Sequence, residues 1–177
     1  MEEEVQNKLS PTHKAYERVM TLKKKHGKCG KYIYNDGTLY IGDFDEQGIK
    51  SGIGHLEIGN GAIYDGQFEK GLPNGVGIMF FPDKSEYIGE FMQGWFHGHG
   101  IYTTHEGMKF EGEFRGGRIW GFGMITYKRG ETGTSGYFQD SKYSREGDAD
   151  ENVKSARQIV AYAKRICQEN GYVITAD

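Results

Sequence analysis

Tyr87-Ile-Gly-Glu-Phe-Met-Gln-Gly-Trp-Phe-His-Gly-His-Gly100 is the stretch whose reading decides the fold. Its skeleton is aromatic-x-Gly-x-Phe, then a Gly three residues on, a Gly four further on, and x-Gly to close. The same skeleton starts at Tyr40, Tyr64, Tyr87 and Phe110, and its Gly-x-Gly end falls at Gly52/Gly54, Gly75/Gly77, Gly98/Gly100 and Gly121/Gly123. The period is about 23 residues, with one extra residue between Phe44 and Gly48. A fixed period of roughly 20–50 residues marks a repeat array, in which each unit buries its apolar face against its neighbours.

Each copy reads as a β-hairpin. Alternate residues of Tyr87-x-Gly89-x-Phe91 share one face of a strand, and Gly98-x-Gly100-x-Tyr102 opens the return strand. A second turn, Asn35-Asp-Gly37, Gly59-Asn-Gly61 or His105-Glu-Gly107, leads into the next copy, with Gly supplying the positive φ that closes it. Pro82-Asp-Lys-Ser85 stands at the equivalent place without a glycine. If the Tyr87 and Tyr102 faces coincide, a column of glycines runs along the sheet between aromatic ridges. Rings can cover such glycines, or the column can be a trough that admits another backbone. The two uses are compatible. A peptide in the trough would meet Tyr40, Phe44, Tyr64, Phe68, Tyr87, Gly89, Phe91, Gly98, Gly100, Tyr102, Phe110, Gly112 and Phe114. A methyl added at Gly89 or Gly100 would then block the trough and leave the fold intact.

Composition agrees with a sheet of this kind. The chain has 177 residues, 28 of them Gly, 14% aromatic, 36% hydrophobic, with mean hydropathy −0.70. That suits one domain whose single layer is held by ring stacking rather than by a large two-layer core. No apolar run approaches the roughly 18–20 residues that span a bilayer, and Met1-Glu-Glu-Glu4 is acidic where a signal peptide is basic and then apolar. Cys29 and Cys167 are too far apart in sequence to suggest a disulfide framework or a metal motif. These features predict a cytoplasmic protein.

The flanks differ from the repeats. Residues 10–26 predict a helix: Ser10 as N-cap, Pro11 in the first turn, an apolar stripe of Ala15, Tyr16, Val19 and Met20, and Lys23-Lys-Lys-His26 before Gly27. It either caps the first sheet edge or, being basic and amphipathic, touches phospholipid or a partner. Cys29 to Gly37 looks like a return half-copy, and Gly136-Tyr-Phe138 like the opening half of a fifth. About ten strands result. A second helix is predicted over 151–169, started by Asp148 or Asp150 and stopped at Asn170-Gly171. Its stripe Val153, Ala156, Ile159, Val160, Ala163 and Ile166 should pack on the face opposite the glycines, near Val76, Ile78, Phe80, Ile101, Phe122 and Met124. Tyr172-Val-Ile174 would add an edge strand. The chain thus divides into an N-terminal extension over 1–29, a sheet over 30–140, and a C-terminal loop and helix over 141–177, the loop being the polar run 141–150. With both edges covered by helices, a monomer is expected.

The skeleton Tyr-x-Gly-x-Phe…Gly-x-x-x-Gly-x-Gly, over about residues 30–140, resembles the MORN repeat. The run Met108-Lys-Phe-Glu-Gly-Glu-Phe114 with Gly117-Arg-Ile-Trp-Gly-Phe-Gly123 is similar to a branch of that family which binds motor proteins. The resemblance implies a mostly β fold: an elongated single-layer antiparallel sheet of MORN-repeat hairpins with flanking N- and C-terminal helices. It also implies a non-enzymatic adaptor whose groove holds an extended tail segment of a class III unconventional myosin, in actin-based cell projections. The alternative carried by the family is a membrane-associated scaffold, here through the N-terminal helix. The chain departs from the pattern in that helix and at Lys128 to Gly133, where a Pro-Asp-Gly turn is expected.

Charge points the same way independently. Residues 30–140 carry nine Lys+Arg against fifteen Asp+Glu, net −6, whereas residues 1–29 are net +3. A sheet of that charge repels nucleic acid and anionic lipid and attracts a basic peptide. Chemistry is otherwise sparse. His97-x-His99, near His105, has no counterpart in other copies, and Asp43, Asp65, Glu90, Glu111 and Glu113 recur at repeat slots as a solvated face would. No catalytic constellation, phosphate loop or metal spacing stands out, so neither enzyme activity nor a cofactor is expected.

Overall fold

Two kinds of turn alternate along the chain and between them dictate a meander. Within each copy the strands close through consecutive residues of positive φ: Lys70-Gly71 (51°, 84°), Gln93-Gly94 (50°, 85°), Gly116-Gly117 (57°, 81°) and Asp140-Ser141 (51°, 60°). That is the tight turn whose twist matches the strands it joins. The first copy, with its extra residue, uses a longer loop in which Asp45 Oδ1 accepts from the amides of Gln47 and Ile49 at 2.9 and 2.8 Å. Between copies the positive-φ position is Gly37, Gly61 or Gly107. At Pro82-Asp-Lys-Ser85 it is Lys84, φ 67°, tolerated because Asp83 Oδ1 accepts both the Ser85 amide at 2.9 Å and its hydroxyl at 2.6 Å.

The computed structural model describes residues 29–127 and 133–172. The strands are β1 (Cys29–Ile33), β2 (Leu39–Phe44), β3 (Lys50–Glu57), β4 (Ile63–Glu69), β5 (Leu72–Phe80), β6 (Glu86–Met92), β7 (Trp95–Thr103), β8 (Lys109–Arg115), β9 (Arg118–Thr126), β10 (Thr134–Gln139) and β11 (Lys142–Glu146). They form one open antiparallel sheet in sequence order, followed by helix α1 (Asp150–Glu169). The expected mostly β single layer is therefore what the chain forms, and eleven strands at ~4.8 Å span roughly 48 Å. The eleventh, Lys142-Tyr-Ser-Arg-Glu146, falls within the expected 141–150 loop; it is the return strand of the fifth copy and carries none of the glycines that mark the others. The expected helix over 10–26, the 128–133 connection apart from Gly133, and the edge strand beyond Tyr172 lie outside the described residues.

Register explains the spacing of the repeat. Gly89 pairs with Gly100 and Gly77, and Gly100 also with Gly112, so glycines stand side by side across neighbouring strands. On the return strands the Gly two residues before Gly54, Gly77, Gly100 and Gly123 sits in a bulge with positive φ: Gly52 64°, Gly75 99°, Gly98 53°, Gly121 123°. One side chain caps each bulge. Asp43 Oδ2, Gln67 Oε1, Glu90 Oε2 and Glu113 Oε2 accept from the amides of Ile53, Val76, His99 and Phe122 at 3.4, 2.8, 2.6 and 2.7 Å. Asp43, Glu90 and Glu113 are thus structural acceptors rather than members of a solvated face.

The two faces of the sheet are apolar in different ways. On one, rings lie directly on the glycines. On the other, α1 buries Val153, Ala156, Ala163 and Cys167, the last two in one cluster with Ile41, Val76, Ile78 and Ile88, where Ile159, Val160 and Ile166 of the predicted stripe also pack. The helix begins one residue early, with Asp148 Oδ1 accepting the Asp150 amide at 2.9 Å. Helix α1 crosses strands β4 to β9 on their face and covers no edge. Strand β11 is exposed along its whole length, so among the described residues the covered-edge argument for a monomer does not hold.

Candidate functional site

The ring face is one continuous stack. Phe44, Tyr40, Phe68, Tyr64, Phe91, Tyr87, Phe114, Phe110, Phe138 and Tyr143 follow one another with centroids 4.8–5.6 Å apart and planes crossed by 73–88°. Edge-to-face pairs of this kind contribute about 0.5–1.5 kcal/mol each beyond area burial. Strand pleating produces the stack because each copy places its first aromatic and its Phe four residues apart on the same face.

The tyrosine that opens each of the first three copies also bonds the backbone. The hydroxyls of Tyr40, Tyr64 and Tyr87 donate to the carbonyls of Asp43, Gln67 and Glu90 at 2.7, 2.8 and 2.9 Å. Burial raises all three phenols well above their ordinary range, so they remain donors. The fourth copy has Phe110 in this slot and lacks the bond.

This geometry corrects the expected trough. A Cβ built on Gly100 would stand 2.6 Å from the Tyr87 hydroxyl and 2.7 Å from its ring; one on Gly89 would stand 2.5 Å from the hydroxyl and 2.6 Å from Gly100 Cα. Gly112 has Gly123 Cα and the Phe110 ring in the same position. The column is filled by the chain's own rings, and a methyl there cannot leave the fold intact. Gly98, in its bulge, has the Glu90 carboxylate against it.

Of the thirteen residues assigned to a peptide, seven rings are at most 5% exposed: Tyr40, Phe68, Tyr64, Phe91, Tyr87, Phe114 and Phe110. They form the floor. Phe44 and Tyr102 keep part of their surface. What stands above the floor comes mainly from other slots: Lys50, Phe96 and Ile119 at the starts of return strands, and Tyr34, Ile58 and Phe81 at or just beyond their ends. Sequence reasoning missed these because their residue type changes from copy to copy, and only strand parity could have pointed to them.

Among these residues lies a cleft of about 330 Å³, with Phe81, Phe96, Tyr102, Phe114 and Ile119 as its apolar walls and Asp83, Ser85 and Ser141 at its polar margin. Phe96 stacks on Tyr87 at 3.9 Å, which fixes its ring. The Ser85 hydrogen bonds hold the Asp83 carboxyl below its ordinary range, so the margin is anionic at neutral pH. Toward β1, Lys50 Nζ lies 4.7 Å from the Tyr34 ring centre and donates to its hydroxyl at 3.1 Å. None of the described residues forms a second layer over this face.

On the helix face, two of the carboxylates expected in solvent are buried. Asp65 Oδ1 is 2.6 Å from His55 Nδ1, and Glu57 Oε1 is 3.1 Å from Nε2. Burial opposes charge on this imidazole, but the bonds to both carboxylates outweigh it and raise the pKa to about 9. Glu111 accepts two bonds from Arg157, at 2.8 and 3.1 Å, which joins α1 to β8. His99 meets Glu90 and Asn152. Among the described residues no group of three His, Cys, Asp or Glu side chains could hold a metal ion, and no helix is long and apolar enough to cross a membrane.

An open, one-layer repeat sheet with one face under its own helix and the other left as ringed floor and cleft defines a repeat scaffold. Residues 64–86, 87–109 and 110–132 each match the MORN repeat, with boundaries at Tyr64, Tyr87 and Phe110, so these three units of the chain are MORN repeats. The structure continues the same hairpin into β2–β3 on one side and β10–β11 on the other. A stretch of 43 residues is 46% identical to a Drosophila melanogaster protein described as a MORN repeat-containing protein 4 homolog, covering 24% of this chain and 22% of that relative.

Proposed function

We propose that this chain is an adaptor that holds an extended, basic segment of a partner protein along the ring face, with one apolar side chain seated in the cleft between Phe81, Phe96 and Tyr102. The observation that carries it is an apolar cleft with an anionic margin on a face that no described residue covers. Its volume accommodates a large side chain, the rings behind it are locked by stacking, and little ordering cost falls on the scaffold. The net charge of −6 over residues 30–140 favours a basic segment. The MORN resemblance supports the tail of a class III unconventional myosin as the partner.

Fluorescence anisotropy with labelled peptides tiling such a tail tests both parts. One basic tile is expected to bind saturably, and Phe81→Ala and Tyr102→Ala to weaken it at least tenfold, about 1.4 kcal/mol. Both substitutions spare the buried floor, and circular dichroism checks the fold. A tile whose affinity is unchanged in both folded variants refutes the site. Saturable binding of peptides outside the tail, lost in both variants, keeps the site and refutes the myosin.

A further inference from the structure

The face opposite the rings carries a second uncovered surface, beside α1 rather than under it. Leu72, Met92, Trp95, Arg115 and Trp120 each adjoin a ring-face residue in their own strand, so strand parity sends them to the other face. They gather at the hairpin ends of β5 to β9. Helix α1 meets the other half of these strands, through Arg157 on Glu111 of β8, and reaches β4 through Cys167 on the Asp65 carbonyl. Leu72, Met92 and Trp95 are left 47%, 48% and 63% exposed. Met92 and Trp95 oppose each other across the ladder, the Trp95 ring rests on the Gly117 turn, and the Arg115 guanidinium sits 5.9 Å from the Trp120 ring centre. The chain has two tryptophans, and both are here.

Trp, Met and Arg are the residues over-represented at the centres of protein interfaces, and exposed tryptophan is costly to leave in water without a use. Trp95 packs on backbone and remains largely in solvent, so the fold does not account for it.

We propose that this ledge is a second protein-docking surface, which takes an acidic segment bearing two apolar side chains about 10 Å apart. The spacing follows from the repeat: Leu72 and Trp95 fill the same slot in successive copies, two strands or ~9.6 Å apart. The charge follows from Arg115, which has the Trp120 ring but no carboxylate partner among the described residues, within a sheet that is otherwise acidic. An anionic membrane would also meet Trp and Arg, but lipid docking draws on clusters of several basic residues, and Arg115 offers the ledge a single cation, enough for one carboxylate of a segment. With a basic segment on the ring face and an acidic one on the ledge, the scaffold would join two partners on opposite faces.

The test is selection of a random peptide library displayed on phage against the full chain. The expected result is an enriched acidic family with two spaced apolar residues. A synthetic member should shift the tryptophan emission, lose at least tenfold in affinity with Trp95→Ala and with Arg115→Glu, and bind Phe81→Ala as wild type. Leu72→Ser, an exposed change that disturbs no packed ring, should weaken it as well if either of the first two variants fails to fold. Absence of any enriched family, enrichment of basic peptides, or indifference to all three ledge variants overturns the proposal. So does co-sedimentation with phosphatidylcholine–phosphatidylserine vesicles that Trp95→Ala abolishes, which would give the ledge to lipid. Self-association abolished by the same variant would give it to a second copy of the chain.

Discussion

Gly100→Ala is the substitution on which the packing account is most exposed. The new methyl would lie 2.6 Å from the Tyr87 hydroxyl and 2.7 Å from ring carbons, well inside van der Waals contact. The ring cannot step aside freely. It stacks on Phe96 at 3.9 Å and meets Phe91 and Phe114 edge to face at 5.2 and 4.9 Å. Overpacking of a filled site costs about 1–3 kcal/mol. Displacing the ring also breaks the hydroxyl bond to the Glu90 carbonyl, worth roughly 1 kcal/mol. The expected loss is about 2–4 kcal/mol, which in urea melts with a slope near 2 kcal/mol per molar moves the midpoint down by about 1–2 M. The companion variant Tyr87→Leu removes the ring, and Gly100→Ala added to it should then cost under about 1 kcal/mol, a coupling a double-mutant cycle measures directly. If Gly100→Ala alone unfolds within 0.5 M of wild type, the rings do not cover the glycines and the trough is open after all.

Three further outcomes follow from the same contacts. Glu90→Ala leaves the His99 amide in its bulge without an acceptor and should destabilise by about 1–2 kcal/mol, while Glu90→Gln, which keeps the oxygen, should recover most of it; equal losses for the two would refute the capping role. The His55 pKa is raised in the fold to about 9 from 6.5, so its contribution is complete below pH 6.5 and is lost as pH rises through about 9; the fall in stability over that window should flatten in His55→Gln, and an unchanged pH profile would contradict the buried pair. Ala163→Asp puts a carboxylate at a wholly buried helix position and should cost roughly 3 kcal/mol or detach α1, read by thermal melting and by protease cleavage within 150–169.

The hairpins, the meander and the helix stripe were legible because each rests on a local periodicity: two for strands, 3.6 for α1, and a repeat that superimposes both. The bulges were not. In Gly98-x-Gly100 both residues read alike, yet Gly98 is there for its positive φ and Gly100 for the ring above it. A one-residue bulge leaves no composition signal beyond a second glycine, and with the bulge hidden its cap, Glu90, looked like a surface charge. Asp65 and Glu111 were misread for a related reason. Period-two alternation assigns them correctly to the helix face, but only the docked α1, with Arg157, and the partner His55 make that face dry around them. The candidate site was half visible. Tyr-x-Gly-x-Phe named the floor, which is buried, whereas the cleft walls Phe81, Phe96 and Ile119 stand at slots whose residue type changes from copy to copy and surface only when the strands are set side by side.

Photo-crosslinking tests the central claim most directly. With p-benzoylphenylalanine in place of Phe81 or of Tyr162 on the exposed side of α1, the tail tile that binds most tightly should crosslink from position 81 and not from 162. Capture from 162 with none from 81 would place the partner on the helix face and contradict the ring-face site.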